Sequence, residues 1–307
     1  MQNPEQSSKL EQKEKLRNVL VVALAYLVSA LLYKFLFHEG LGHSSLLFIG
    51  VPGVLAILLA MAPRAGTAKG GIVKGITLAL LLIAPLVGEG YLCILMASPL
   101  FYLIGLLIGW AVDGIRDKTS TLSCAAGLVI LLSLDGIVPP HHRQETVSVT
   151  RIVAAPAADI RNALANPPDI ATPLPRFLRI GFPHPIAASG SGLDIGATRT
   201  IHFTGAEGDP PGDLTLRVAR VNPGEIQFVA TGDTSKLTQW IQWQSSLVQW
   251  RQVDATHTRV TWQTTFDRQL DPWWYFVPWE RYAVRKSTEY LLTANATPLA
   301  LRRRTLR

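Results

Sequence analysis

Residues 18–37 read NVLVVALAYLVSALLYKFLF, with a single late lysine. A stretch of about 20 apolar residues is what one helix needs to cross a hydrocarbon core of about 30 Å. The run is too long for the roughly 7 to 15 residue core of a cleaved signal peptide, and further apolar segments follow it, so it reads as a retained anchor. Four more candidates lie at 45–61, 72–87, 91–112 and 121–138, separated by short segments that hold Gly, Pro and the few charges. The chain is 48% hydrophobic and 17% charged, against roughly 25% charged in an average soluble domain. Of its 29 basic and 22 acidic residues, only 10 and 8 precede Val138, so the deficit belongs to the first half. That division excludes one soluble domain, a disordered chain and a disulfide scaffold. It predicts a basic tail over 1–17, an all-α transmembrane bundle of about five spans over 18–138, and a separate domain from 144 onward.

Orientation follows from short-loop lysines and arginines. Lys9, Lys13, Lys15 and Arg17 in the tail, Arg64 and Lys69 in the second loop, and Arg116 and Lys118 in the fourth all fall on one side. With five spans the N-terminus is expected in the cytoplasm and the C-terminal domain in the periplasm, in an integral protein of a bacterial inner membrane. On the outer side lie His38, Glu39, His43, Glu89, His141 and His142. HEGLGH separates Glu39 from His43 by one residue more than the zinc helix HExxH allows, so no metal site is expected. Cys93 and Cys124 lack the CxxC spacing of a redox or metal motif and read as small apolar packers within spans.

Beyond Gln144 the hydrophobic period shortens to two. Residues 145–154 alternate as a strand, and 157–165 follow Pro156 as a short helix. Pro173, Pro175, Pro183 and Pro185 break the next stretch. Strands are predicted at 198–204, 213–221, 225–231, 240–253 and 256–269, with turns at GDPPGD, NPGE, TGDTS and DATH. A closing helix is predicted over 274–293. One strand, a helix, a run of antiparallel strands and a long last helix make an α+β domain, a curved antiparallel sheet around that helix.

This order, with the opening VSVTRIVAAPAADIRNALANP, resembles the helix-grip superfamily often called SRPBCC. That superfamily includes START-related lipid carriers, polyketide cyclase-like proteins and the birch-pollen-allergen-like family. The resemblance covers about 144–296, and its best local match runs from Val153, Ala154, Ala155 and Pro156 into 159–164. It implies a domain over 144–298, before a basic tail over 299–307, with a cavity between sheet and closing helix for a lipid or other apolar small molecule. The residues allow this independently, since Ile201, Phe203, Leu214, Leu216, Val218, Ile226, Phe228, Val260, Trp262, Thr264 and Phe266 alternate with polar neighbours. Such a face suits a filled core as well as a pocket. Phe203, Leu216, Phe228, Trp250, Trp262, Thr264, Phe266 and Tyr282 are the expected ligand-binding residues.

Seven of the eight tryptophans fall between Trp240 and Trp279. The segment DPWWYFVPWERY places amphipathic rings where headgroups favour them, so Trp273, Trp274, Tyr275 and Trp279, with Arg281 and Arg285, are expected at a membrane interface. A packed aromatic helix start is the competing reading. No catalytic set is recognised, because His184 and His202 are isolated and no GxSxG elbow occurs. The function expected is binding or transfer of an apolar molecule at the membrane, without cofactor or nucleic acid, the basic residues being dispersed despite a pI near 9.6. Two alternatives stand: a cyclase or aromatase-like enzyme using some of Thr264, Asp267, His202 or Tyr282, and a non-catalytic subunit that docks to another membrane protein.

Overall fold

The computed structural model describes residues 68–87, 91–114, 143–205 and 210–305. The chain divides into two compact units, 1–132 and 133–307. The expected spans at 18–37, 45–61 and 121–138 lie outside the described residues, as do the basic tail, His38, Glu39, His43, Glu89, Cys124, His141 and His142.

In the first unit, α1 (Ala68–Val87) and α2 (Tyr91–Gly114) occupy the third and fourth expected spans. Small residues let the two backbones approach. A Cβ at Gly105 would collide with the side chain of Ile76, and one at Gly109 would meet Ile72 Cδ1 at 3.2 Å and the Lys69 backbone at 3.3 Å. Gly105 and Gly109, four residues apart, therefore lie on the side of α2 that meets α1. Thr77 Oγ1 and Tyr102 Oη, 2.7 Å apart, add a hydrogen bond between the helices. Along α2, Leu95, Phe101, Leu103, Leu106, Leu107 and Trp110 are exposed. Among the described residues no helix is long and apolar enough to cross a membrane.

The second unit is built on a seven-stranded antiparallel sheet ordered β1-β7-β6-β5-β4-β3-β2. Its strands are β1 (Gln144–Val153), β2 (Pro185–Ser189), β3 (Thr198–Phe203), β4 (Gly212–Asn222), β5 (Glu225–Asp233), β6 (Ile241–Asp254) and β7 (His257–Arg268). The short helix α3 (Ala157–Leu164) follows β1, and α4 (Trp273–Thr305) closes the chain. The turn Pro223–Gly224 between β4 and β5 uses proline's fixed φ and a glycine at φ +76°. Register shifts in β4–β5 and β6–β7 are bulges of the kind that bend a sheet.

Alternation decides which face is inner. On β7 every even residue from Thr258 to Arg268 is buried, and on β5 the buried pair is Ile226 and Phe228. The sheet-facing row of α4 repeats at helical spacing through Phe276, Glu280, Val284, Thr288 and Leu292. The curved sheet around a long last helix is therefore the architecture expected of the sequence. Two elements differ. The proline-rich stretch contributes β2, whose Pro185 stands first in an edge strand, where a missing N–H is harmless. The closing helix also runs on past Thr293 to Thr305 rather than ending there.

The glycine contacts predict opposite outcomes at two positions of the helix pair. Gly105→Leu should force α1 and α2 apart and speed amide hydrogen exchange across 68–87. Gly71→Leu, where nothing lies within 4 Å of an added Cβ, should leave that exchange unchanged or slow it.

Candidate functional site

The interior between sheet and helices is closely filled. Ile160 and Leu164 of α3, Val218, Ile226, Phe228, Val248, Trp250, Val260 and Trp262 of the sheet, and Leu292 of α4 form one buried cluster. A cavity of about 20 Å³ remains where α3 and α4 meet β7, partly open and lined by Val153, Ile160, Ala163, Leu164, Val260, Trp262, Leu292, Asn295 and Ala296. That is room for about one water molecule. The surface it presents is wholly apolar. Two of the lining residues also carry polar atoms that are buried without a hydrogen-bond partner, Trp262 Nε1 and Asn295 Oδ1. Asn295 Nδ2 donates to Leu291 O at 2.8 Å, which orients the amide and leaves Oδ1 as the free acceptor.

Of the eight residues expected to bind ligand, Trp262 alone is in the wall of this cavity. Phe228 and Trp250 belong to the same core cluster, with Leu216 packed against it. Phe203 and Phe266 are buried outside that cluster. Thr264 is fully buried and its hydroxyl lies 2.9 Å from that of Thr288, closing a polar pair between β7 and α4. Tyr282 is 44% exposed and stacks edge-on against Phe177 at 4.9 Å, rather than lying in the interior expected of a ligand-binding residue. Asn295 is the cavity residue that sequence reading missed. Its signal was a lone amide one turn beyond the apolar pair Leu291 and Leu292.

The residues weighed for acid–base work do not converge. Thr264 faces the interior, whereas Asp267 accepts a bond from Gln244 Nε2 at 2.8 Å on the other face of β7. His202 Nδ1 pairs with Asp213 Oδ1 at 2.7 Å, both partly exposed on the outer face.

The interior does hold charged groups, away from the cavity wall. Arg199 of β3 is 6% exposed. Its Nη2 donates to Leu164 O at 2.6 Å, at the C-terminal end of α3, and its guanidinium lies 4.9 Å from the Phe228 ring centre. Burial lowers its pKa to about 10. Arg268 is buried and its Nη1 donates to Asp271 Oδ1 at 2.8 Å. Glu280 of α4 is also buried, and its Oε1 accepts from the backbone N–H groups of Gln269 and Leu270, both at 3.3 Å. Desolvation drives its pKa up to about 7, against the opposing pull of those two donors and of Arg268.

The expected interface segment is largely at the surface. Trp273 (53%), Trp274 (40%) and Trp279 (40%) are exposed, as are Arg281 and Arg285, while Tyr275 is half-buried. Arg281 pairs across elements with Glu145 at 2.7 Å.

No protein-family model matches the chain, and no curated protein matches it. Among solved structures, the chain is similar to norcoclaurine synthase from Thalictrum flavum, at 15% identity over 53% of this chain and 95% of that one, TM-score 0.35. It is similar to Ara h 8.0201 at 12% identity over 51% and 98%, TM-score 0.35. Protein Ms6760 from Mycobacterium smegmatis gives 16% identity over 50% and 89%, TM-score 0.34. The part shared with these proteins is the C-terminal domain.

Glu280 makes stability depend on pH with a definite sign. The unfolded chain gives up this proton near 4.5 and the folded one at about 7, so the native state holds the extra proton between those values. Stability from this group therefore falls as pH rises from 4.5 to 7 and is flat above. Thermal melts of the domain should show that slope in the wild type. In Glu280→Gln, which keeps the oxygen acceptor, the slope should vanish and the melting temperature at pH 8 should rise; an unchanged slope would assign the pH dependence elsewhere.

Proposed function

We propose that residues 144–298 form a binding module for a lipid or other apolar small molecule, anchored in a membrane by the apolar N-terminal half. The observation that carries the binding reading is the partly open apolar cavity between α3, α4 and β7. At about 20 Å³ it is a foothold rather than a finished pocket, and a larger ligand enters by displacing the side chains around it. Ile160 and Leu164 sit on an eight-residue helix, the short element of the wall. Anchoring is supported by the apolar segments of the first half and by the exposed leucines, Phe101 and Trp110 of α2. The one-sided lysines and arginines favour a cytoplasmic N-terminus and a domain on the outer face of a bacterial inner membrane. The exposed Trp273, Trp274 and Trp279 suit contact with headgroups.

The docking-subunit reading has its own support, the closely filled core beside that exposed aromatic segment. Cavity enlargement separates the two. Leu292→Ala should lower stability by about 2 to 4 kcal/mol while raising the amount of apolar molecule that co-purifies with the full chain, read by native mass spectrometry from lipid nanodiscs. A variant that loses stability and still carries nothing would move the weight to docking.

Topology has a direct test because the only cysteines are Cys93 and Cys124. With both changed to Ser, Ser148→Cys on the exposed side of β1 should react with an impermeant maleimide in cells with a permeable outer membrane. Reaction only after lysis would place the domain in the cytoplasm.

A further inference from the structure

The start of α4 presents two unlike sides. Phe276, Glu280 and Val284 turn inward and are buried, while Trp274, Tyr282 and Arg285 lie on the other side of the helix and are exposed, with Pro278 between them. Trp273 and Trp279 flank that row and are exposed as well. A second element extends it. The 3-10 helix Arg176–Arg179 packs on α4 through Phe177, whose ring meets Tyr282 edge-on at 4.9 Å, and Arg176, Arg179 and Ile180 beside it are exposed. Charge across this surface does not balance. Arg281 pairs with Glu145 and Lys286 with Glu289, while Asp271 is taken by the buried Arg268. Asp169, the carboxylate nearest in sequence to Arg176, acts on Tyr290, two turns beyond Tyr282. Arg176, Arg179 and Arg285 are left without a carboxylate partner among the described residues; Arg179 Nε donates to a carbonyl, Leu174 O, at 2.9 Å.

We propose that the outer side of α4 at its start and the 176–180 segment form one docking surface for an anionic phospholipid layer, with the rings seated among the headgroups and the three unmatched arginines on the phosphates. The inference rests on the membrane reading given above and names the chemistry of the layer that is met. Exposed tryptophan and tyrosine rings carry one polar N–H or O–H on an apolar body, which suits the boundary between headgroup and hydrocarbon. Guanidinium forks match phosphate oxygens, and their methylene stems tolerate the same boundary. Rings alone would suit a zwitterionic layer equally well. The surplus of Arg176, Arg179 and Arg285 is what selects an anionic one, at about fivefold in binding for each basic residue near such a surface.

The test uses the full chain, labelled with 5-fluorotryptophan, in nanodiscs of phosphatidylcholine alone or of phosphatidylcholine and phosphatidylglycerol in equal parts. Each disc carries a trace of phosphatidylcholine with a nitroxide on its headgroup, which broadens the ¹⁹F signal of any indole that reaches the layer. Signals are assigned by their loss in Trp274→Phe, Trp279→Phe and, for the buried Trp250, Trp250→Phe. The expected result is broadening of Trp274 and Trp279 in the phosphatidylglycerol discs, reversed by high salt, with Trp250 sharp throughout. Arg176→Gln, Arg179→Gln and Arg285→Gln should each lower the ratio of docked to undocked domain about fivefold. Arg161→Gln, an exposed arginine on α3 and outside this surface, should leave the ratio unchanged; an equal loss there would trace the effect to net charge and overturn the site. Equal broadening in both kinds of disc would overturn the anionic preference. Sharp signals from a chain that co-purifies with the discs would overturn docking, leave anchoring standing and turn this face over to a protein partner. A chain recovered apart from the discs would overturn the anchoring reading and this one with it.

Discussion

The concave face of the sheet has to be taken out of water, and α4 is the element that does it. Val284 and Thr288 are fully buried and Leu292 nearly so, and these residues meet the strip of β7 that runs through Val260, Trp262 and Thr264. Each large apolar side chain buried there contributes about 1.5 to 3 kcal/mol relative to exposure. The rest of the domain is arranged around that contact. The bulges of β4–β5 and β6–β7 curve the sheet to meet the helix, and α3 fills the end of the trough with Ile160 and Leu164.

Polar groups inside this interface separate into those that fix its geometry and those that do not. Thr264 with Thr288, and Thr258 Oγ1 donating to Ala155 O at 2.7 Å, are completed pairs that set the register of β7 against its neighbours. Glu280 ties the start of α4 to the chain leaving β7 through two backbone N–H groups, and its raised pKa shows that these bonds do not fully offset the loss of water around a carboxylate. Arg199 is held by the negative end of α3 and by the face of Phe228. Arg199 and Glu280 are only partly answered, since Arg199 Nε and Glu280 Oε2, like Trp262 Nε1 and Asn295 Oδ1, are buried without a hydrogen-bond partner.

Most of the domain was legible because alternation of apolar and polar residues is a direct record of a half-buried sheet. Ile201, Phe203, Leu214, Val218, Ile226, Phe228, Val260, Trp262 and Phe266 all carried that signal, and all are buried. Period alone could not separate core from cavity wall, since both are apolar on the same face, and so Phe228 and Trp250 were read as pocket when they are packed core. Tyr282 was misplaced for a related reason. A helix start rich in aromatics gives no clue to which ring turns inward, and here Phe276 does so beside Val277. β2 was hidden by prolines that an edge strand tolerates. Asn295 was overlooked because an amide in a long helix usually points to solvent, and only the position of α4 on the sheet turns it inward.

The filled interior has an energetic cost at its polar atoms. Leaving the Trp262 donor and the Asn295 acceptor unanswered costs about 1 to 3 kcal/mol each, enough to matter in a domain whose net stability is typically about 5 to 15 kcal/mol. Arg199 Nε and Glu280 Oε2 are buried without a partner as well, so the cost falls on the charged groups of the interior as much as on these two. The apolar contact of α4 with β7, at about 1.5 to 3 kcal/mol for each large side chain, is what offsets it.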